Sequence, residues 1–513
     1  MPERLNASEY LLDRRLEAGD GDRVAFRYQG QDLTYAEIAS RTRQAAAALT
    51  GLDVRPEERV PIVLLDGPEW VAAFLGALRI GAVPVPVSTM LTGDDLAFLC
   101  ADARARVAIG ATALGEAIAG MAAGGAELRD LILVGDGDVA TPPALRTHRW
   151  DSWVGEAAGA ETDVYPTWPD SPAFWLYTSG TTGKPKGAMH RHADLPYTAE
   201  TYGRQVLGVT RDDRCYSVAK LFFAYGLGNS LTFPMAAGAT TVLDPRRPTP
   251  DGVADAVRAE RPTLFFAVPT FYAALLAADL AADTFSSVRY AVSAGEPLPA
   301  DLHRRFRERF GIDILDGIGT TEILHIFISN RPGDVRPGTS GRLVPGYDAK
   351  LLADDGVPVP DGEPGHLYVS GESVATGYWC RTDVNRRTFQ GEWIRTGDVF
   401  SRSADGVYTY AGRSDDMLKA GGIWVSPAEV EATLVAHPDV LEAAVVGRSD
   451  ADGVDRPVAY VVPLPGRTPA AEDLIAFCTA RLAAFKRPRE VILVDDLPKT
   501  ATGKIQRFKL RDG

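Results

Sequence analysis

The sequence predicts an α/β protein: a large N-terminal domain of two helix-flanked, mostly parallel sheets carrying a small β-barrel-like subdomain, then a small α+β C-terminal domain. Three observations predict it. Short β-branched runs alternate with helix patterns through the first three hundred residues, the rhythm of parallel sheets covered by helices. From about Pro332 the chain turns rich in Gly, Pro and short β runs, and after Arg413 a compact strand–helix pattern begins. The 513 residues exceed the roughly 100–200 of one domain, so several units are expected.

In chain order, Val24–Tyr28 reads as a strand and Gln29-Gly30 as a turn. Thr34 followed by Glu37 makes a capping box opening a helix to about Thr50. Val60–Leu65 suits a strand buried on both faces, with a helix near Trp70–Arg79 and a proline-spaced strand at Val83–Val87 after it. The rhythm recurs as helix Asp251–Glu260, strand Leu264–Val268, a turn at Pro269, helix Phe271–Ala282 and strand Tyr290–Val292. The barrel-like stretch, 332–412, contains Ala349–Leu352, His366–Val369 and Val407–Tyr410. Ser426 as cap, Pro427 at the first position and Glu429 reaching back start a helix in the last domain. Strands Leu441–Val446 and Val458–Val462, a helix near Ala471–Leu482 and a strand Val491–Val494 complete it. The expected boundaries are 1–412, a joint at 413–419, and 420–513.

Composition narrows the function. With 45% hydrophobic and 24% charged residues the chain is neither disordered nor fibrous. The balance of 54 Lys+Arg against 68 Asp+Glu, net −14, argues against nucleic acid or an anionic membrane as partner. The four cysteines are too scattered for a disulfide framework or a C-x-x-C knuckle. The opening MPERLNASEYLLDRRLEAGD lacks the apolar core of a secretory leader. The uncharged stretch from Pro262 to Ala278 contains prolines and falls short of the roughly 20 residues that span a bilayer. These features predict a cytoplasmic protein.

The segment Tyr177-Thr-Ser-Gly-Thr-Thr-Gly-Lys-Pro-Lys-Gly187 follows the apolar run Phe174–Leu176. Its glycines let backbone N–H groups turn toward an anion, while hydroxyls and ammonium groups add donors, the chemistry of a polyphosphate loop. It is not a Walker A sequence. A flexible Ser/Thr/Gly linker is the plain alternative, although linkers rarely carry lysines directly behind a buried strand. His190-Arg-His192 has no cysteine or carboxylate at ligand spacing and reads as a helix-start feature near that loop. Neither G-x-S-x-G nor H-E-x-x-H occurs.

That loop resembles the phosphate loop of the adenylate-forming superfamily of acyl-CoA ligases, carrier-protein adenylation domains and luciferases. Four further segments match in order: Gly317-Ile-Gly-Thr-Thr-Glu322, Thr396-Gly-Asp398, the hinge stretch Gly412-Arg-Ser-Asp-Asp-Met-Leu-Lys-Ala-Gly-Gly422, and Pro498-Lys-Thr-Ala-Thr-Gly-Lys504. The resemblance implies ATP at Thr178, Ser179, Gly180, Thr181, Thr182, Gly183, Lys186, Glu296, Asp316, Gly317, Thr321, Glu322, Asp398, Arg413 and Lys504. It implies Mg2+ at Glu322 with the Thr182 hydroxyl, Lys504 as the catalytic cation, a mobile C-terminal domain pivoting at Asp415, and a pantetheine channel walled by Lys419, Gly421 and Gly422.

The residue chemistry supports these roles, and each has a plainer rival. Joining a carboxylate to the α-phosphate of ATP brings two anions together, so an ammonium such as Lys504 must meet them; a lysine after Thr-Gly is otherwise a surface residue. Glu322 suits a hard cation, or else caps a helix over Ile323–Ile328. Asp398 suits the ribose diol, although turn aspartates often bond their own backbone. Arg413 suits ribose or α-phosphate, or an interdomain ion pair. Asp316 resembles the adenine-edge position, and Ile318 stands where many relatives carry an aromatic.

Lys220-Leu-Phe-Phe-Ala-Tyr-Gly-Leu-Gly-Asn229 and Gly319–Asn330 resemble the benzoate-CoA ligase branch, with Phe223 where many relatives have histidine. By position, Ala224, Tyr225, Gly295, Ile318, Gly319 and His325 should line the acyl pocket, small residues leaving a flat slot and Tyr225 an apolar wall. Core packing is the alternative for Phe222, Phe223, Tyr225 and His325. The expected reaction uses ATP, Mg2+ and coenzyme A to turn an aromatic carboxylate into aryl-CoA. A rival enzyme would load an acyl carrier protein's phosphopantetheine instead, and a rival of another class would bind nucleotide without turnover. Monomer and homodimer both remain open.

Overall fold

The largest sheet has nine strands, ordered Arg342–Leu343, Ile326–Ser329, Ile314–Gly319, Tyr290–Ser293, Leu264–Ala267, Arg214–Ser217, Thr240–Leu243, Val24–Tyr28 and Gln31–Thr34. From Ile314–Gly319 across to Val24–Tyr28 every pairing is parallel, and antiparallel strands finish both edges. Leu264–Ala267 is buried at every position, as a strand covered by helices on both faces must be. This computed structural model describes residues 2–511 apart from 126, 161, 180–184, 415–416, 421–422, 450–454 and 500–504.

A second, wholly parallel sheet runs Val83–Pro86, Arg59–Val63, Val107–Ala111, Asp130–Val134, Arg146–Arg149. Val83–Pro86 carries two prolines and sits at its edge, where a missing N–H faces no partner strand. Between the sheets the hairpin Pro172–Ser179/Pro185–Arg191 carries the glycine-rich loop at its tip. The expected barrel-like subdomain is a curled antiparallel sheet of Asp348–Leu352, Gly365–Ser370, Trp393–Arg402, Phe389–Gln390 and Tyr408–Arg413. The C-terminal unit has its own three-stranded sheet, Val440–Ser449, Asp455–Pro463, Glu490–Leu493, and its own core of Leu418, Val425, Val430, Leu434, Leu474 and Cys478. No helix among the described residues is long and apolar enough to cross a membrane.

Local signals act as expected where they are strong. Thr34 accepts from Glu37 N while Glu37 accepts from Thr34 N, and the helix runs Tyr35–Gly51. At Ser426 the cap forms, but Glu429 does not reach back; its carboxylate binds Lys486 Nζ at 2.8 and 2.7 Å instead. The turn at Pro269 is the first turn of helix Pro269–Ala277, since proline's fixed φ suits that position, and the helix ends short of Ala282. No helix covers 323–328: a 3-10 turn Thr321–Ile323 leads into strand Ile326–Ser329, whose β-branched residues pair with Ile314–Gly319.

Candidate active site

Parallel strands deliver their carboxyl ends to one rim of the nine-stranded sheet, where α/β proteins bind ligands. The loops leaving Arg214–Ser217, Leu264–Ala267, Tyr290–Ser293 and Ile314–Gly319 carry Ala224 and Tyr225, then Val268, then Gly295 and Glu296, then Thr320–Glu322. Gly317 must be glycine, because a Cβ there would stand 2.8 Å from the Ile328 carbonyl oxygen of the paired strand.

The Thr321–Ile323 turn is held at three successive carbonyls. His190 Nε2 lies 2.8 Å from Thr321 O, Ala375 N donates to Glu322 O at 2.8 Å, and Ser373 Oγ donates to Ile323 O at 2.8 Å. Leu324 then takes a left-handed φ of 73°, which a branched side chain adopts only under constraint. The Glu322 side chain is fixed as well: the Tyr378 hydroxyl donates to its Oε1 at 2.6 Å. Lys186, in register with Thr178 on the hairpin, sits 5.0 Å over the Tyr378 ring. Burial pushes the Lys186 ammonium below its usual range, with Glu322 opposing and Arg413 reinforcing the effect. Burial and the Glu322 charge raise the Tyr378 phenol, keeping it a donor.

Asp398 and Arg413 face each other across paired strands, 3.0 Å apart, with Asp398 almost wholly buried. Asp398 Oδ2 and Thr320 Oγ1 have no partner among the described residues, and Asp316 Oδ1 is in the same condition. Burial drives the Asp316 carboxyl well above the carboxylate range. Such orphaned polar atoms, costly in a finished core, fit a ligand that brings its own donors, as a ribose diol and an adenine amino group do. Glu296 accepts from Thr270 N at 3.2 Å, serving the start of helix Pro269–Ala277.

The predicted pocket residues divide. Tyr225, Gly319 and His325 meet directly: His325 Nε2 is 3.3 Å from Tyr225 O, and a Cβ on Gly319 would stand 2.6 Å from His325 O. The Tyr225 hydroxyl donates to Val292 O at 3.0 Å, fixing its ring. His325 is boxed by the rings of Tyr202, Tyr225 and Phe233, and burial holds its pKa down to about 3, so the imidazole is neutral. Ala224 precedes Tyr225, Ile318 packs on the same apolar cluster as Tyr225, and Gly295 follows the neighbouring strand Tyr290–Ser293 with φ 94°.

Other predicted positions lie outside the described residues: Gly180, Thr181, Thr182, Gly183, Asp415, Gly421, Gly422 and Lys504. Ser179 ends its strand, and Lys419 lies on the short strand Leu418–Ala420 paired with Ile423–Val425. For Mg2+, the donor chemistry fits. The described residues hold no cluster of three potential metal ligands, so no all-protein cage is present there, and one carboxylate fixed by Tyr378, with Lys186 over the same ring, suits an Mg2+ shared with nucleotide phosphates.

Sequence reading missed Tyr378, Asp194 and Asp66, and it read His190 as a helix-start feature with no carboxylate at ligand spacing, which the bond to Asp194 corrects. Tyr378 and His190 act on residues 56 and 131 positions away, whereas Asp194 is local, a carboxylate four residues from His190 with the two side chains bonded at 2.9 Å. Asp66 accepts from Leu221 N at 3.1 Å, anchoring the loop that ends in Tyr225, and burial raises its pKa to about 6. Its unfolded-state value is 3.8, so the folded chain binds the extra proton and stability falls as pH rises through that interval. The penalty is about 3 kcal/mol at neutral pH, from about 1.4 kcal/mol per factor of ten. Urea unfolding of Asp66→Asn against wild type is expected to show wild type losing ground by about that much between pH 4 and 7; a pH-independent difference would contradict it.

The fold and this rim together define an α/β enzyme that holds a nucleotide beside an apolar slot for a second substrate. The chain belongs to the AMP-binding enzyme family, whose profile matches residues 12–379, with the family's C-terminal domain matching 429–504. Within it, the chain is 46% identical to a benzoate–CoA ligase of Thauera aromatica, over 100% of this chain and 96% of that protein. A crystal structure of a benzoate CoA ligase from Burkholderia xenovorans LB400 superposes with TM-score 0.90 at 45% identity, covering 99% of each chain. The anthranilate CoA ligase AuaEII, in complex with anthranoyl-AMP, superposes with TM-score 0.94 at 40% identity, covering 100% of this chain and 98% of that one.

Proposed function

We propose that the protein activates benzoate or a substituted benzoate with ATP, forming aroyl-AMP and pyrophosphate, and then passes the aroyl group to the thiol of CoA with release of AMP. The observation that carries this reading is the continuity of the aromatic-walled slot with the nucleotide turn: Gly319 touches His325, and Glu322 follows three residues later on the same chain.

The chain's residues divide the work. Tyr225, Gly319 and the neutral His325 seat the flat ring, and the unpartnered His325 Nδ1 offers an acceptor for a hydroxyl or amino substituent. Asp398 and Arg413 orient the ribose, and Asp316 meets the adenine edge. Glu322 and the Thr182 hydroxyl would hold Mg2+ alongside the phosphates, where it would supply positive charge for the leaving pyrophosphate. Lys504 bridges the carboxylate and α-phosphate oxygens as the phosphorus becomes pentavalent. Residues 413–419 then pivot about Asp415, withdrawing Lys504 and presenting Lys419, Gly421 and Gly422 to the pantetheine arm.

Carboxylate-dependent ATP/pyrophosphate exchange across substituted benzoates and short fatty acids, followed by CoA, tests the reading. Exchange with benzoates and conversion to aryl-CoA is expected. Exchange confined to fatty acids would overturn the aromatic assignment, and aryl-AMP that no CoA discharges would favour a carrier-protein acceptor. Gly319→Ala should raise KM for benzoate by about tenfold or more while leaving KM for ATP nearly unchanged, because the methyl would push the His325 backbone, and with it the imidazole, out of place. Equal changes in both constants would contradict the slot.

A further inference from the structure

We infer that His190 is a positioning residue for adenylation: its Nε2–H holds the Thr321 carbonyl, and with it the turn bearing Glu322, against the hairpin whose tip is the phosphate loop. The inference rests on the reading of Glu322 as a nucleotide-site ligand given above.

His190 lies near the end of strand Pro185–Arg191, opposite Phe174 and at the end of the hairpin away from its tip. Its ring is sealed from solvent and stacked on Phe174, centroids 5.0 Å apart and 14° from parallel. Nδ1 lies 2.9 Å from Asp194 Oδ2 and Nε2 lies 2.8 Å from Thr321 O. Asp194, also fully buried, already accepts from Arg191 N and Arg191 Nε at 3.1 Å each, which marks it as an acceptor. A carbonyl can only accept, so Nε2 donates to Thr321 O.

Arg191 stays paired with Asp194 whatever stands at His190, so losing the imidazole chiefly leaves the Thr321 carbonyl without its donor. A satisfied core would be built more cheaply from apolar side chains. What the imidazole does here is specific: it ties the first of the three anchored carbonyls to the phosphate hairpin, while Ala375 and Ser373 tie the next two to the loop that carries Tyr378. Hairpin strand and turn are thereby held to one another, as a site positioning a polyphosphate requires.

Asparagine places its amide near the Nδ1 position and glutamine near Nε2, so the two variants separate the two bonds. The measurements are thermal unfolding, calorimetric affinity for a non-hydrolysable ATP analogue with and without Mg2+, and benzoate-dependent exchange. His190→Asn should fold but lose about tenfold to a hundredfold in Mg2+-dependent analogue affinity and in exchange. His190→Gln should recover both to within about threefold, since it keeps the Thr321 bond. Glu322→Gln is the control: if it is crippled while His190→Asn matches wild type, the inference fails and the reading of Glu322 stands. If Glu322→Gln is unaffected, that reading falls and the inference with it. Equal losses in both His190 variants, tracking lowered Tm, would mean a merely structural histidine. Should His190→Asn not fold, His190→Gln alone decides: folded with near wild-type affinity supports the inference, and folded with tenfold weaker binding overturns it.

Discussion

Lys504→Ala is expected to slow aryl-adenylate formation by about 10²–10³-fold, the usual cost of losing one preorganised contact to a developing oxyanion. The described cations near Glu322 already have employment: Lys186 lies over Tyr378, and Arg413 is paired with Asp398. The encounter of carboxylate with α-phosphate therefore calls for a further positive charge, and in the proposed mechanism Lys504 supplies it. Thioester formation from supplied benzoyl-AMP and CoA should remain largely intact, because in the proposed mechanism Lys504 has by then left the site. Pyrophosphate exchange measures the first step and stopped thioester assays the second. Equal loss in both would remove Lys504 from its assigned role.

Asp415→Pro should produce the opposite split. Proline fixes φ at the proposed pivot, so the chain can hold the adenylating arrangement but not turn to the other. Adenylation should change little, while CoA-dependent discharge falls by about 10²-fold, the scale on which misplacing a reacting group acts. Leu418 and Val425 pack into the C-terminal core, which fits a pivot just before them. Unimpaired CoA transfer in this variant would refute the pivoting account.

The fold was legible wherever one physical signal dominated. Apolar runs such as Leu264–Ala267 specify buried parallel strands, and Thr34 with Glu37 specifies a helix start, because each effect is local. Legibility ended where the decision belonged to distant chain. Glu429 had the right spacing to close a capping box, yet Lys486, 57 residues away, offered a charge and won it. Ile323–Ile328 has apolar residues compatible with a helix, but Ile314–Gly319 presents an open edge and draws Ile326–Ser329 into the sheet.

The site divides in the same way. Glu322, Asp398 and Tyr225 were readable because motifs carry them. Tyr378 on Glu322, His190 on Thr321 and Asp66 under Leu221 were not, since each contact joins segments between 56 and 155 residues apart. Residues that hold a site in place leave fainter traces in the sequence than residues that touch the ligand.

The central claim is that one rim of the nine-stranded sheet binds an aromatic acid and a nucleotide end to end. A crystal structure with a non-hydrolysable benzoyl-AMP analogue tests it most directly. The aromatic ring should lie against Tyr225 and His325, with the ribose hydroxyls bonded to Asp398 Oδ2 and the adenine edge at Asp316. An analogue bound away from this rim, with Asp398 Oδ2 and Asp316 Oδ1 still unpartnered, would contradict the account.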